Sequence, residues 1–311
     1  MSASSAHIDV EESPRGKGDA GGPLAYRRIA TVGVVGAGTI GTGLAQSLAT
    51  TGHRVVLLDL SDDVLARARR TIERNVRTLA MTAPTNSPQS PAETLARIEC
   101  TTSYSPFAEC DFVVENATEK ESVKREVYGA LDLACPPATA FAANTSCIPI
   151  ARIASWTRRP DRVLGMHFMN PVPLKPMVET IRAMHTSDET LASALRLLQA
   201  MGKEGIVVND APGFVTSRSL MLIINEAAWT VMDGVASAAD VDRLFVGCFG
   251  HAMGPLATGD LIGLDTIVHS LHVLQESFDD PKFRACPLLL QLVDAGHLGR
   301  KSGRGFFDYG A

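Results

Sequence analysis

No apolar run in this 311-residue chain approaches the length that crosses a bilayer, which removes membrane-spanning functions from consideration. The first residues, MSASSAHIDVEESPRGKGDAGGP, lack the apolar segment of a signal peptide. Small, polar and rich in Gly and Pro, residues 1–25 are expected to form a disordered tail. There is no basic excess either: 29 Lys and Arg stand against 34 Asp and Glu, a net charge of −5, so nothing marks a nucleic-acid partner. Six cysteines are scattered with no CxxC pair and no His/Cys cluster at metal-ligand spacing, so no metal is expected. Reduced thiols of this kind suit a cytoplasmic enzyme. No internal repeat is present. What remains is an ordinary soluble composition, 45% hydrophobic and 20% charged, long enough for two domains with real cores.

The most informative stretch is Gly165 to Glu179, GMHFMNPVPLKPMVE. Val163 to Met166 is an apolar run that reads as a buried strand, and His167 ends it. The two prolines of Asn170-Pro171-Val172-Pro173 remove two backbone donors and fix two φ angles, which forces a turn. Met177 to Thr180 then reads as a second short strand, so the excursion can return Glu179 to His167, twelve residues earlier. A carboxylate on one imidazole nitrogen fixes the tautomer and leaves the other nitrogen free to move a proton. The plainer alternative is a core histidine near an unrelated surface glutamate.

From the amino terminus, Ile29 to Val35 is an apolar strand running into Gly36-Ala37-Gly38-Thr39-Ile40-Gly41, with a helix-compatible segment from Thr42 to Ala49. A second strand, Arg54 to Leu58, ends in Asp59, eighteen residues after Gly41. A strand, a glycine fingerprint, a helix and a following acid together predict a dinucleotide site, the other reading being a phosphate-binding turn for a different nucleotide. Gly36 permits the tight turn, Gly38 lets amides approach a pyrophosphate, and Gly41 lets the helix pack on the sheet. Asp59 would accept from ribose hydroxyls and repel a 2′-phosphate, and no Arg follows it immediately, so the expected cofactor is NAD rather than NADP.

Ser61 to Leu79 reads as an amphipathic helix whose polar side carries Arg67, Arg69, Arg70, Arg74 and Arg77, either a solvated face or a surface for a phosphate-bearing carrier. A Pro-rich loop (83–91) and a short helix from Ala92 to Arg97 would complete a protruding hairpin. Further strands are expected at Ile98–Thr101, Asp111–Val114 and Ala140–Ala143, the last ending in Asn144-Thr145-Ser146. Those three polar side chains suit both a grip on a substrate oxygen and a cap for the helix from Ile148 to Trp156. A helix from Asp188 to Met201 and a strand from Glu204 to Val208 finish the sheet. Asn209 to Gly213 reads as a boundary, dividing residues 26–209, a dinucleotide-binding α/β domain, from residues 210–311. The second part is helical: Phe214–Met232, Ala238–Phe245, Gly259–Phe278 and Cys286–Ala295, the first apolar on most sides and hence buried, as against a second subunit. The end, LGRKSGRGFFDY, is expected to be a basic glycine turn feeding an aromatic strand, with Lys301 either folding onto an anionic ligand or lying on the surface.

The motifs VGVVGAGTIGTGLA, DFVVENATEK, ANTSCIPI, GMHFMNPVPLKPMVE, DAPGFVTSR, AMGPLATGDLIGLD and LGRKSGRGFFDY, in this order from Arg28 to Tyr309, resemble the 3-hydroxyacyl-CoA dehydrogenase family. The resemblance implies a Rossmann-type doubly wound sheet with an all-helical C-terminal domain that forms a homodimer, and NAD as cofactor. It implies His167 as catalytic acid/base, Glu179 as its partner and Ser146 as a contact to the reacting oxygen. It places Glu119, Lys124 and Lys301 near the cofactor, beside the glycine loop with Thr39 and Ile40, Asp59 and Asn144. The implied substrate is an acyl thioester, on CoA or on an acyl carrier protein. Two departures stand out. Where the family commonly has Asn after Gly-Phe-Val-Val, this chain has Ser217 in GFVTSR. Where fatty-acid members have Ser and Lys in the hairpin to touch CoA, it has Asn75 and Thr82. The wording of several motifs also resembles the branch that oxidises a glyceryl unit on a carrier protein for polyketide extender units. A dehydrogenase of a free hydroxy or sugar acid and a non-catalytic NAD-binding protein remain as alternatives.

Overall fold

The computed structural model describes residues 29–82 and 90–310. The tail expected over 1–25 and residues 83–89 of the Pro-rich loop lie outside the described residues. Eight strands form one sheet: β1 Thr31–Val35, β2 Arg54–Leu58, β3 Ile98–Thr101, β4 Phe112–Glu115, β5 Ala140–Ala143, β6 Val163–His167, β7 Met177–Arg182 and β8 Glu204–Asn209. Their order is β3-β2-β1-β4-β5-β6-β7-β8. The first six run parallel, β7 is antiparallel to β6, and β8 is parallel to β7. Every residue of β1, β4, β5 and β6 is buried, as continuous apolar strands covered on both faces must be. The chain leaves β1 for β2 on one side and later places β4 on the other, so a crevice opens where β1 and β4 end.

One face of the sheet is covered by α1 Thr39–Thr50, α2 Asp62–Thr82 and α6 Asp188–Ala200, whose Leu44, Leu48, Ile72 and Leu198 share a core with Val32, Leu57 and Val114. The other face packs α4 Glu121–Ala134 and α5 Ile150–Ala154, through Tyr128, Leu131, Ile150 and Ile153, on Val113 and Phe141. α3, Pro91–Ala96, completes the hairpin with α2 and starts on a capping box in which Ser90 and Glu93 satisfy each other's amides. The turn after β6 is braced by a buried lysine: Lys203 Nζ donates to the carbonyls of Val172 at 2.7 Å and Lys175 at 2.8 Å.

The helical part comprises α7 Thr216–Met232, α8 Ala238–Phe249, α9 Pro255–Ile262, α10 Leu264–Phe278 and α11 Pro287–Asp294, around a separate core of Met221, Ile224, Leu256, Leu271 and Phe283. No helix among the described residues is long and apolar enough to cross a membrane. Two expectations are corrected here. Gly259–Phe278 is two helices, because Gly263 adopts φ 108° and breaks the backbone between them. The aromatic end is no strand and has only isolated bridges at Gly299, Arg304 and Asp308. Its amides are taken by a buried carboxylate instead: Asp260 accepts from Phe306 N and Phe307 N, each at 3.0 Å, and from Tyr309 Oη at 2.9 Å.

Asp260→Ala would strand those donors at a partly buried seam. A loss of about 2–4 kcal/mol in unfolding free energy is expected, measured by urea denaturation, with Asp260→Asn retaining part of it.

Candidate active site

The register of the strands decides what meets at the crevice. Val35 is level with Leu58 and Glu115, Glu115 with Ala143, and Ala143 with Gly165. Gly36, Asp59, Asn116 and Asn144 therefore leave the sheet side by side, and His167 follows two residues after Gly165. These ends border a cavity of about 720 Å³, lined by Gly38, Thr39, Asn116, Glu119, Ser146 and His167 on the sheet side and closed by α7, α9 and α10 through Thr216, Ser217, Leu220, Ile262, Thr266 and Ser270.

His167 and Glu179 are directly paired across the antiparallel β6–β7 ladder. Cross-strand partners have their side chains on one face, so the turn delivers the carboxylate to the imidazole. Nδ1 of His167 lies 3.1 Å from Glu179 Oε2, and Nε2 lies 3.1 Å from Ser146 Oγ. A carboxylate only accepts, so Nδ1 carries the proton. Nε2 is then a bare acceptor toward the cavity, and Ser146 donates to it. Phe214 stands edge-on against the imidazole, ring centroids 6.0 Å apart, and is held in the left-handed region at φ 48°. That strained turn starts α7, and the amides of Val215 and Thr216 donate to Glu179 Oε1 at 2.7 and 3.2 Å. Burial pushes the Glu179 carboxyl up, but hydrogen bonds from His167, Thr216 and the Val215 amide outweigh it and hold the group below the usual carboxylate range.

Around the pair, Glu119 Oε1 accepts from the Thr145 hydroxyl and from the amides of Ser146 and Cys147, which fixes the loop carrying Ser146. Asn144 donates to Asn116 Oδ1 at 2.9 Å and accepts from Phe168 N at 3.0 Å. Lys124 is fully buried beneath this floor. Its ammonium sits 2.8 and 2.9 Å from the Glu115 carboxylate and touches the carbonyls of Ala117 and Asn144, so it holds the ends of β4 and β5 and does not face the cavity. Burial pushes the Glu115 carboxyl up against the pull of Lys124. Lys301 lies outside the cavity lining, its Nζ 2.7 Å from Asp265 Oδ2. Ser217 is buried at the cavity wall. Asn75 donates to Gln46 at 3.3 Å and borders a smaller cleft with Arg67, Thr71 and Asn170, while the side chain of Thr82 lies outside the described residues. Sequence reasoning missed Asn116, the clamp made by Glu119, and Thr216. None has a spacing signal, because each acts through contacts between distant strand ends.

The glycine loop suits a dinucleotide. Gly36 adopts φ 88°, a Cβ on Gly41 would fall 1.8 Å from the Gly36 carbonyl oxygen, and a Cβ on Gly38 would meet nothing within 4 Å. No side chain caps α1, which leaves its first amides for phosphate oxygens. Asp59 accepts from Ala37 N at 2.8 Å and stands at the end of β2, where a ribose would lie.

A dinucleotide crevice beside an imidazole poised to exchange a proton defines a hydride-transferring oxidoreductase. The sequence matches the model of the 3-hydroxyacyl-CoA dehydrogenase NAD-binding domain over residues 31–211 and that of the family's C-terminal domain over 213–309. A probable 3-hydroxybutyryl-CoA dehydrogenase of Bacillus subtilis is 41% identical, with 90% of this chain and 98% of that protein covered. The crystal structure of (S)-3-hydroxybutyryl-CoA dehydrogenase PaaH1 from Ralstonia eutropha superposes with a TM-score of 0.86 at 40% identity, covering 91% of this chain and all of that one. M. tuberculosis FadB2 gives a TM-score of 0.88 at 35% identity, with 91% and 100% covered. The chain belongs to the 3-hydroxyacyl-CoA dehydrogenase family, and its cofactor is NAD.

Because the folded state holds Glu179 low, the group stabilises the protein above its unfolded pKa of about 4.3, and that contribution is lost as pH falls through the folded value. The stability gap between wild type and Glu179→Gln, from urea unfolding at stepped pH, is expected to be full at neutrality and to shrink below about pH 4.

Proposed function

We propose that this chain interconverts a 3-hydroxyacyl thioester and the 3-oxoacyl thioester, with a short acyl chain on CoA. The relay Ser146–His167–Glu179, opening on the same cavity as Gly38 and Thr39, carries the reading. In oxidation the substrate hydroxyl lies within reach of both Ser146 Oγ and His167 Nε2. Nε2 takes the hydroxyl proton, and Glu179 stabilises the imidazolium through Nδ1–H. Bound NAD supplies the hydride acceptor. In reduction His167 returns the proton to the developing alkoxide. The clamp on Ser146 by Glu119, and the apolar cavity wall of Leu220, Met221 and Ile262, orient the acyl chain and limit water. Ser217 borders this pocket with a shorter polar arm than Asn would offer.

With acetoacetyl-CoA, NADH absorbance should fall on addition of enzyme. His167→Ala should lower kcat by about 10²–10⁴-fold while NADH binding, followed by fluorescence, stays intact. Retention of near-full turnover in that variant would sink the assignment.

A second reading, a thioester carried on an acyl carrier protein, is favoured by one observation: Asn75, set by the family resemblance at a hairpin position where fatty-acid members touch CoA, is engaged with Gln46. A glyceryl unit on such a carrier, as in polyketide extender-unit formation, is the substrate that separates the two, since turnover of it without turnover of acetoacetyl-CoA supports only this reading.

We also propose a homodimer through the helical domain. Val235, Leu244 and Phe249 are 74, 55 and 69% exposed on α8 and the turn before it, an apolar surface suited to a second copy. Leu244→Glu with Phe249→Glu should reduce the sedimenting mass from two chains to one.

A further inference from the structure

Glu179 Oε2 receives a second donor besides the imidazole: Thr216 Oγ1, at 2.6 Å. The same hydroxyl lies 3.2 Å from His167 Nδ1. A threonine hydroxyl has one proton and two lone pairs. With its proton on the carboxylate, a lone pair of Oγ1 faces Nδ1–H, and the imidazole proton is divided between Glu179 and Thr216. The other carboxylate oxygen is held by the Val215 and Thr216 amides. Three of the four donors to Glu179 therefore come from the start of α7, where the chain reads GFVTSR.

We propose that Thr216 is a positioning residue for hydride transfer: its hydroxyl holds Glu179 and weakens the carboxylate's pull on the imidazole proton, so that His167 accepts the substrate proton at lower pH than a His–Glu pair alone. This rests on the acid/base role given above to His167 and Glu179. The direction follows from the stronger of two bonds. Oγ1–H to a carboxylate is charge-assisted and draws negative charge toward Thr216, whereas Nδ1–H to a neutral hydroxyl oxygen is the weaker contact.

The other charged groups near the pair are committed elsewhere. Glu119, from the segment after β4, lines the cavity but is bonded to Thr145, Ser146 and Cys147. Asp210, after β8, caps α5 through the amides of Ile150 and Ala151. Arg218 of α7 lies over the Phe278 ring at 4.3 Å. Glu115 and Lys124 pair with each other beneath the floor. Among the described residues, none of these hydrogen-bonds His167 or Glu179.

The test compares oxidation of 3-hydroxybutyryl-CoA across pH for wild type, Thr216→Val and Thr216→Ser. Valine keeps the branched shape and removes the hydroxyl; serine keeps the hydroxyl. In the valine variant the acidic limb of kcat/KM is expected to move to higher pH, with a several-fold loss at a fixed pH on that limb and an unchanged KM for NAD. The serine variant should restore the wild-type limb. A limb that stays in place or moves to lower pH overturns the proposal, as does a loss of activity uniform across pH, which marks a contact that only supports the fold. Should wild-type enzyme not turn over the thioester, the functional reading fails separately. The proposal is then judged on the His167 Nδ1–H proton resonance, assigned by its absence in His167→Gln. A downfield move in Thr216→Val, as the bond to Glu179 is no longer shared, supports it, and an unmoved resonance rejects it.

Discussion

The carboxylate of Glu179 is the constraint on which the rest of the site depends. A buried charge survives only when its oxygens are satisfied, and Glu179 is satisfied from two sides: the imidazole of β6 and the first turn of α7. Its place on β7 is set by direct pairing with His167. One functional group therefore fixes the tautomer of the histidine and docks the helical domain onto the sheet. The seat of α7 and the geometry of the His167–Glu179 pair are physically coupled.

The floor beneath obeys the same rule. Lys124 and Glu115 are wholly buried, and each would be prohibitive alone. Together they join β4 and β5 at the level where Asn116 and Asn144 emerge, and Asn144 in turn accepts from the Phe168 amide next to His167. Glu119 completes the arrangement by gathering the amides after Thr145. The floor of the cavity is thus built from Asn116, Glu119, Asn144 and Thr145, whose polar atoms are committed to the loops that carry Ser146 and His167, which limits how far those two can drift apart.

Much of this was legible in the sequence, and the pattern of what was not has a physical cause. The glycine loop with Asp59 lies within one strand-helix-strand unit and the His167–Glu179 excursion within one strand-turn-strand unit, so spacing points to both, although a plain core histidine stayed open until the strand register set His167 opposite Glu179. The helix break at Gly263 was hidden because a glycine in an apolar helical pattern is tolerated as often as it interrupts, and only its φ of 108° decides. The end of the chain has strand composition, yet Asp260 takes its amides, a partner 46 residues away that no local pattern announces. Lys124 entered only through the family resemblance, as a residue near the cofactor, and its burial could not be read locally because it depends on Glu115 of the preceding strand. Thr216 was passed over because a threonine at a helix start looks like an ordinary cap.

The reversed direction of β7 has a consequence for how the molecule can fail. β7 reads MVETIR and holds a single carboxylate. A slip of one residue against β6 would turn Glu179 to the opposite face, and a slip of two would set Met177 or Ile181 opposite the histidine. Neither error touches β1, α1 or Asp59. A chain trapped in such a register would keep the glycine loop and Asp59 in place while His167 lost the carboxylate that now faces its Nδ1.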